Sequence, residues 1–161
     1  MIDVGGGDSR LVDHLLARGL RCLTVLDVSG AALARARARL GAQAEKVEWI
    51  EADVTGAWSV APVDVWHDRA DFHFLTEAED RARYMAHLRL AVKPRGTVIM
   101  ATFALDGPER CSGLPVCRYD AAGMSAELGV DFILAEKVVD AHRTPSGSVQ
   151  SFNYYRFVRR A

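Results

Sequence analysis

Hydrophobic positions in the first forty residues alternate between short continuous runs and helical spacing. The run "MIDV" at residues 1–4 precedes three glycines, and "RCLTVLDV" at residues 21–28 is typical of a strand buried on both faces of a sheet. The spacing predicts a second helix over residues 30–40, with Ser29 as its N-cap and Gly41 as its end. The first helix is predicted between the two runs, where apolar residues recur at helical spacing: Leu11, Val12, Leu15 and Leu16.

The same alternation continues to the end of the chain. Thr76 and Glu79 have the spacing of a capping box and predict the start of a helix that ends before Pro94. The turn-forming "TPSG" joins the last two strands and predicts a closing antiparallel hairpin. Such alternation predicts an α/β fold with a mainly parallel sheet covered on both faces. The remaining predicted elements are strands at residues 46–54, 62–68, 96–104, 132–140 and 148–160 and a short helix within residues 119–129.

Length and composition indicate one domain over residues 1–161, with 50% hydrophobic and 25% charged residues. The net charge of −1 gives no reason to expect a nucleic acid or membrane partner, and no apolar run approaches the ~18 residues of a membrane span. The chain has no signal-peptide pattern and an odd number of cysteines without a disulfide framework, so we expect a reducing cytoplasm. Its preference for Arg and Ala suggests a GC-rich bacterial genome.

Ligands of parallel sheets bind beyond the carboxyl ends of the strands, which directs attention to the glycine turn after the first strand. Glycine allows a tight turn and a close approach of the backbone to a ligand. A dinucleotide fingerprint counted from Gly5 would need glycine at position 10, where the chain has Arg10. The nearby Asp3 and Asp8 favour a ligand with cationic groups over a pyrophosphate. The alternative is a glycine-rich turn that binds nothing.

Acids also follow the second and third strands. Asp27 stands where a carboxylate can accept hydrogen bonds from a ribose diol. Asp53 can accept from an adenine amino group while its neighbour Val54 lies on the ring. Each acid alone has an equal alternative as a helix cap or turn residue. Acids at the ends of three successive strands, beside the glycine turn, together indicate a nucleoside site.

Five stretches resemble the class I S-adenosylmethionine-dependent methyltransferases, and the resemblance covers essentially the whole chain. They are "DVGGGDS", "VLDVS", "EADV", "VDVWHDRADFHFL" and "LRLAVKPRGTVIMATF". The resemblance implies a Rossmann-like three-layer sandwich with a seven-stranded, mostly parallel sheet and a C-terminal antiparallel hairpin. It also implies a methyltransferase that uses S-adenosyl-L-methionine as its cofactor.

The resemblance further implies which residues bind each part of the donor. The glycine turn would hold the methionine part, the acid after the second strand the ribose, and the acid after the third strand the adenine amino edge, with a valine beside each acid against the adenine ring. The end of the fourth strand would pass the methionyl group. In this order, the residues are Asp3, Gly5, Gly6, Gly7 and Ser9; Asp27 and Val28; Asp53 and Val54; and Asp68 and Arg69.

The chain departs from the family's pattern at three places. Ser9 stands where a third glycine is usual, a position at which serine can cap the following helix. The usual Pro-Gly-Gly turn before the fifth strand reads Pro94-Arg95-Gly96. Family members usually carry one or more helices before the first strand, whereas this strand begins at Met1. We therefore expect either a minimal or truncated core or a site that something else closes.

The candidates for catalysis and acceptor binding lie near the ends of the fourth and fifth strands. His67 and His73 are candidate bases because imidazole titrates near neutral pH, and for each a core-facing or capping role is an equal alternative. The long loop after the fifth strand is a candidate acceptor site. Scattered Cys and His without C-x-x-C spacing predict no metal site. The candidate acceptor-binding residues are Arg110, Cys111, Arg118 and Tyr119.

Together these features predict direct transfer of a methyl group to an N, O or S atom of an unidentified small-molecule acceptor. A protein side chain stays open as the acceptor, because a core without its N-terminal cover would expose a wider cleft. A catalytically silent binding or assembly module of the same fold is the alternative from another class, and the acids at the strand ends argue against it. A nicotinamide oxidoreductase is disfavoured by Arg10 and by the closing hairpin.

Overall fold

Strands and helices alternate along the chain, which the computed structural model describes over residues 1–144, 147 and 149–161. The main sheet consists of β1 (Ile2–Val4), β2 (Leu23–Asp27), β3 (Val47–Glu51), β4 (Val63–Arg69), β5 (Val92–Phe103), β8 (Phe132–Arg143) and β9 (Val149–Arg159). A separate antiparallel pair consists of β6 (Arg110–Cys111) and β7 (Leu114–Pro115). The helices are α1 (Leu11–Ala17), α2 (Gly30–Leu40), α3 (Ala78–Ala91) and α4 (Ala121–Leu128), with 3₁₀ turns at Gly41–Lys46 and Phe72–Phe74.

The described part of the main sheet has seven strands in the order β3-β2-β1-β4-β5-β9-β8. Strands β1 to β5 pair in parallel, and β9 runs antiparallel between β5 and β8. The predicted α/β fold, with its mostly parallel sheet and C-terminal antiparallel hairpin, is confirmed. Because β1 lies between β2 and β4, the chain reverses its strand order there, and a ligand of such a sheet binds at the carboxyl edge of this point.

The turn predicted at "TPSG" falls partly on residues that the structure does not describe. Pro145, Ser146 and Ser148 lie outside the described residues, and Ser148 is also the first residue of the last predicted strand. The two strands on either side pair from Phe132↔Arg159 to Arg143↔Val149.

The core has a part on each face of the sheet, because alternate residues of a strand point to opposite faces. Val25 belongs to a cluster that packs with Leu33 of α2, whereas the adjacent Leu26 belongs to a cluster that packs with Leu88 of α3 and Met124 of α4. The helices therefore cover both faces and leave the strand ends accessible at the edge. No helix in the described part of the chain is long and apolar enough to cross a membrane.

The predicted helix caps differ in their outcome. Ser29 caps α2, where its hydroxyl accepts a hydrogen bond from the Ala32 amide at 3.2 Å, as predicted. The capping box at Thr76 and Glu79 is wrong: Glu77 occupies the N-cap position of α3 without a side-chain cap bond. Thr76 belongs instead to the preceding turn, where its amide donates to the Phe74 carbonyl.

The fifth strand begins earlier than its sequence predicts. Helix α3 ends at Ala91 and passes directly into β5 at Val92, which pairs with Val63. Pro94 therefore lies within the irregular first part of β5, next to a register shift in β4 and to Arg95 with a φ of 63°. A proline is tolerated in a strand at such an irregularity, since the ladder is already interrupted there.

Candidate functional site

Two adjoining cavities follow the carboxyl edge of β1. The first, of about 350 Å³, lies between the glycine turn and the end of β4. The second, of about 150 Å³, lies beyond the ends of β2 and β3. Gly5 lines both cavities, so they adjoin at this residue, and we call the two together the strand-end cleft. Lining residues include Asp3, Gly5–Gly7, Ser9, His67 and Arg69 in the first cavity and Asp27, Val28, Asp53, Val54 and Asp71 in the second.

Glycine is required in the turn because acidic side chains pack directly against its backbone. Gly5 and Gly7 have φ values of +65° and +40°, which L side chains rarely adopt. A Cβ atom at Gly6 would lie 2.8 Å from Oδ2 of Asp3, and one at Gly7 would lie 2.9 Å from Oδ2 of Asp27. The turn thus packs directly against carboxylate oxygens, which suits a polar ligand that carries positive charge. Ser9 ends the turn, and its hydroxyl accepts from the Leu11 amide at the start of α1, at 3.1 Å.

His67 and Asp3 form a pair across two neighbouring strands. The parallel register places the two residues opposite each other, and Nδ1 of His67 lies 2.7 Å from Oδ1 of Asp3. The imidazole remains 17% exposed, whereas the carboxylate is largely buried. When Nδ1 donates to Asp3, Nε2 is the ring nitrogen that is left to exchange a proton in the cleft.

Asp27 and Asp53 each use one oxygen to fold the adjacent turn. Oδ1 of Asp27 accepts from the Ser29 amide at 2.8 Å. Oδ1 of Asp53 accepts from the amide and the hydroxyl of Thr55, at 2.8 and 2.7 Å, and these bonds lower the pKa of the Asp53 carboxyl. Each carboxylate therefore keeps its second oxygen for a ligand in the cleft. Val28 is 71% exposed and Val54 is buried, and both line the second cavity.

Arg69 brings a positive charge to the first cavity. Its Nε donates to the Tyr154 hydroxyl at 2.8 Å, and its guanidinium carbon lies 5.6 Å from the centre of the Phe152 ring. Both partners belong to β9, so the C-terminal hairpin positions a residue of β4 at the cleft. This contact links two regions that are 85 residues apart in sequence.

Asp8 lines the first cavity and is paired with arginines of α2. The spacing of Arg35 and Arg39 indicates a solvated helix face, and the Arg35 side chain is 62% exposed. Arg35 and Arg39 both form ion pairs with Asp8, and Arg39 also binds Asp13 and the Ser9 carbonyl. These hydrogen bonds lower the pKa of Asp8 and satisfy its charge, so α2 supports the outer side of the glycine turn.

The side chain of Asp68 points into the core and not into the cleft. It is fully buried and accepts from the Tyr84 hydroxyl at 2.6 Å and from the Phe72 amide at 3.0 Å. Burial raises the pKa of Asp68 to about 6. Its carboxylate therefore stabilises the turn after β4. It does not line the cleft, so the structure does not support the predicted contact between Asp68 and the methyl donor.

His73 is also a core residue. The side chain is fully buried, and its ring packs against Phe74 and Phe103 with centroid distances of 4.6 and 5.0 Å. Burial lowers the pKa of His73 to about 4, so the ring is neutral at physiological pH. A base must reach the acceptor, and the structure therefore corrects the expectation that His73 acts as one.

The candidate acceptor-binding residues do not converge on the cleft. In the described part of the chain, none of Arg110, Cys111, Arg118 and Tyr119 lines either cavity. Tyr119 is a core residue whose hydroxyl donates to Glu127, and Arg118 binds the Gly107 carbonyl and Glu109 within its own loop. Arg110 binds the Gly113 carbonyl across the small β6–β7 hairpin. Cys111 packs on the Phe103–Phe152 cluster, together with Ala70 beside Arg69.

Asp71 is a cleft residue that sequence reasoning missed. It lies at the start of the 3₁₀ turn after β4 and lines the second cavity. A Cβ atom at Gly5 would lie 2.7 Å from its Cγ and Oδ1, so its carboxyl group packs beneath the glycine that joins the two cavities. Burial, and after it the negative charge of Asp68, raise the pKa of Asp71 to about 8. The sequence offered little signal for it, because Asp71 lies in a segment, residues 67–73, that is already dense in His, Asp and Arg.

The side chains of the site are not arranged like the ligands of a metal ion. Among the residues that the structure describes, no group of three or more His, Cys, Asp or Glu side chains is arranged to hold a metal ion. The site fits a nucleoside that carries a positively charged substituent, because it combines a glycine turn, free carboxylate oxygens and apolar walls.

Comparisons with known proteins identify the family. A family model described as "Methyltransferase domain" matches residues 1–96. A comparison with curated proteins finds no match. Among solved structures, N-methyltransferase NodS from Bradyrhizobium japonicum WM9 is 15% identical with a TM-score of 0.78, and the match covers 99% of this chain and 85% of that one.

Two further structures share the fold. An S-adenosylmethionine-dependent methyltransferase from Clostridium acetobutylicum ATCC 824 is 12% identical with a TM-score of 0.77, and the match covers 99% of this chain and 83% of that one. The glycopeptide N-methyltransferase MtfA, complexed with S-adenosyl-L-methionine, is 15% identical with a TM-score of 0.74, with 99% and 80% covered. The chain therefore belongs to the methyltransferase domain family and has the fold of the class I S-adenosylmethionine-dependent methyltransferases, so the predicted family, enzyme class and cofactor are confirmed.

Proposed function

We propose that residues 1–161 act as one domain that binds S-adenosyl-L-methionine in the strand-end cleft and transfers its methyl group to a small molecule. The observation that carries this proposal is that the two cavities adjoin at Gly5. One cavity is lined by the glycine turn and a buried acid, and the other by three acids and two valines. The first cavity thus suits the aminoacyl part of S-adenosyl-L-methionine, and the second suits its nucleoside part.

Each part of the cleft offers groups that suit one part of the donor. The unshared oxygens of Asp27 and Asp53 accept from the ribose hydroxyls and the adenine amino group, with the adenine between Val28 and Val54. The glycine turn and Asp3 receive the aminoacyl part, with its ammonium on the acidic side. Arg69 provides the charge that a carboxylate of the donor requires.

His67 is the candidate base for an acceptor that must lose a proton. When bound, the donor would supply a methyl group on a cationic sulfur. A lone pair of the acceptor would attack the methyl carbon in line with the S–C bond, whose electron pair would stay on the sulfur. Nε2 of His67 then accepts the proton that the acceptor releases. Asp3 holds Nδ1 at 2.7 Å and stabilises the resulting imidazolium.

The surface next to Arg69 supports a small, partly apolar acceptor. Ala70, Cys111 and Tyr154 pack there on the cluster of Phe103 and Phe152. Two of the similar structures are named as N-methyltransferases, which supports nitrogen as the first acceptor atom to test. The three cysteines form no disulfide in the described chain, which supports a reducing cytoplasm as the compartment.

The proposal is tested in two stages. Isothermal titration of the chain with S-adenosyl-L-methionine, S-adenosylhomocysteine and NAD should give binding for the first two ligands only. Binding of NAD without binding of S-adenosylhomocysteine would refute the proposal. Transfer of a labelled methyl group should then be screened over nitrogen, oxygen and sulfur acceptors; if the donor binds and neither metabolites nor protein extracts are labelled, the silent binding module is the better description.

A further inference from the structure

Asp71 stands apart from the acids around it because none of the described residues donates a hydrogen bond to its carboxylate. Asp3 pairs with His67, Asp68 accepts from Tyr84, and Asp27 and Asp53 accept from their own turns. Among the described residues, no donor reaches the Asp71 carboxylate. A partly buried acid without a hydrogen bond or a positive neighbour is costly to ionise.

The position of Asp71 is set by the glycine turn. Its Cβ and carboxyl atoms would lie 2.6–2.7 Å from a Cβ at Gly5, which is possible only because that residue is glycine. Gly5 is also the residue that lines both cavities. The unpaired carboxyl group therefore lies in the second cavity, next to its border with the first.

The chemistry of the donor determines which of its parts lies at the border between the two cavities. In S-adenosyl-L-methionine the sulfonium connects the aminoacyl chain to the ribose. With the aminoacyl part in the first cavity and the ribose at Asp27, the sulfonium is brought to the junction at Gly5. After methyl transfer the same position holds an uncharged thioether.

Resting on the proposed function, we infer that Asp71 is a positioning and specificity residue whose carboxylate faces the sulfonium and makes the cleft prefer the cationic donor to its neutral product. The donor supplies the positive charge that the protein itself does not provide there. Once the methyl group has left, this attraction is lost, which favours exchange of the product for a new donor.

The charge surroundings of Asp71 strengthen the effect. The acids that face it are Asp3 of β1, Asp27 of β2, Asp53 after β3 and Asp68 of β4, and all of them disfavour a further negative charge. The Asp71 carboxyl therefore holds its proton in the free protein at neutral pH and is expected to release it when a sulfonium binds. Binding of the neutral product provides no such drive.

The experiment compares the affinities of two ligands that differ by one methyl group and one charge. Dissociation constants of S-adenosyl-L-methionine and S-adenosylhomocysteine are measured by isothermal titration for the wild type, Asp71→Asn and Asp64→Asn. Asp64 is the matched control, since it is an exposed acid near the start of β4, the strand that precedes Asp71, and pairs with Lys93. We expect Asp71→Asn to lower the preference for the donor by about tenfold, the lower end of the effect of a neighbouring opposite charge. Asp64→Asn should keep the wild-type preference.

The outcomes separate this inference from the proposed function. If the wild type binds neither ligand, the proposed function fails. If it binds both and Asp71→Asn leaves their ratio unchanged, the role of Asp71 is refuted while the proposed function stands.

A second measurement on the wild type does not depend on whether the variant folds. Titrations at pH 7 in buffers of different ionisation enthalpy should detect proton release with S-adenosyl-L-methionine that is larger than with S-adenosylhomocysteine. Equal proton release for the two ligands would overturn the inference.

Discussion

Each carboxylate at the cleft has a different set of partners, and these partners determine what it can do for a ligand. Asp3 orients an imidazole, and Asp27 and Asp53 keep one oxygen each. Asp68 is entirely used by the core, and Asp71 is unpaired. The same side chain thus serves as an orienting group, a ligand acceptor, a structural anchor or a source of selectivity, according to its neighbours.

Asp27 provides the first test of donor binding. We expect Asp27→Ala to weaken binding of S-adenosyl-L-methionine by roughly 1–3 kcal/mol, because the ribose hydroxyls would be buried without an acceptor. Isothermal titration measures the change. Asp27→Asn is the control for folding, since its amide oxygen can still accept from the Ser29 amide that now binds Oδ1 at 2.8 Å. Unchanged affinity in Asp27→Ala would show that the ribose lies elsewhere.

His67 provides a test of proton transfer. With an acceptor found in the screen, His67→Gln should lower the rate of methyl transfer by about 10²–10⁴-fold, the usual contribution of a positioned base. Because His67 lines the cavity assigned to the aminoacyl part of the donor, donor affinity is measured alongside and the rates are compared at saturating donor. His87→Gln is the matched control, since His87 stacks on Trp58 and binds the Gly56 carbonyl away from the cleft. A full rate in His67→Gln would mean that the acceptor reacts without this base.

At the level of elements, local signals in the sequence predicted most of the fold. Continuous apolar runs marked β1 and β2, and Ser29 and Gly41 marked the ends of α2. The capping box at Thr76 failed because the turn after β4 takes up that residue, a contact set by tertiary structure. The strand-end acids were predictable from their order, but the burial of His73 and Asp68 was not, because it depends on the helix and strands that pack against them.

Of the two arginines that link helix α2 to the glycine turn, Arg39 makes more contacts. Arg39 binds Asp8, Asp13 and the Ser9 carbonyl, so it ties the helix to the outer side of the glycine turn. Removing it should leave the turn to be ordered when the donor binds. We expect Arg39→Ala to weaken donor binding by about fivefold to tenfold, equivalent to ordering one loop residue.

The control for Arg39 lies on the same helix. Arg37 packs over the Trp49 ring, at 5.4 Å from its centre, and has no ion pair among the described contacts of the turn. Arg37→Ala should therefore keep wild-type donor affinity in the same titration. Equal effects of the two variants would indicate a general loosening of α2 and not a specific support of the turn.

Across the whole molecule, the acids that form the cleft also work against folding at high pH. They come from the ends of four neighbouring strands, β3, β2, β1 and β4, and meet where the strand order reverses. Their mutual repulsion is a cost that the empty protein carries and a cationic ligand relieves. The same carboxylates should therefore affect both the thermal stability of the free protein and its selectivity between ligands.

The pH dependence of stability follows from three buried groups. Asp71, with a pKa raised to about 8 from 3.8, contributes stability that is full below the unfolded value and is lost as the pH rises to 8. Asp68 acts in the same sense but completes its loss near its pKa of about 6. His73, with a pKa lowered to about 4 from 6.5, acts in the opposite sense and changes only below pH 6.5. Between pH 6.5 and 8, Asp71 is the one of these three that still titrates.

We therefore expect the wild type to lose thermal stability between pH 6.5 and 8 relative to Asp71→Asn, whose amide does not titrate. Melting by circular dichroism over this range measures the difference, and the comparison removes the contribution of the amino terminus, which both proteins share. Asp64→Asn should follow the wild type, because Lys93 lowers the pKa of that carboxyl far below this range. Parallel melting curves for the wild type and Asp71→Asn would mean that Asp71 is already ionised in the free protein. Saturating S-adenosyl-L-methionine should stabilise the wild type more than Asp71→Asn throughout, since only the carboxylate gains a counter-charge from the sulfonium.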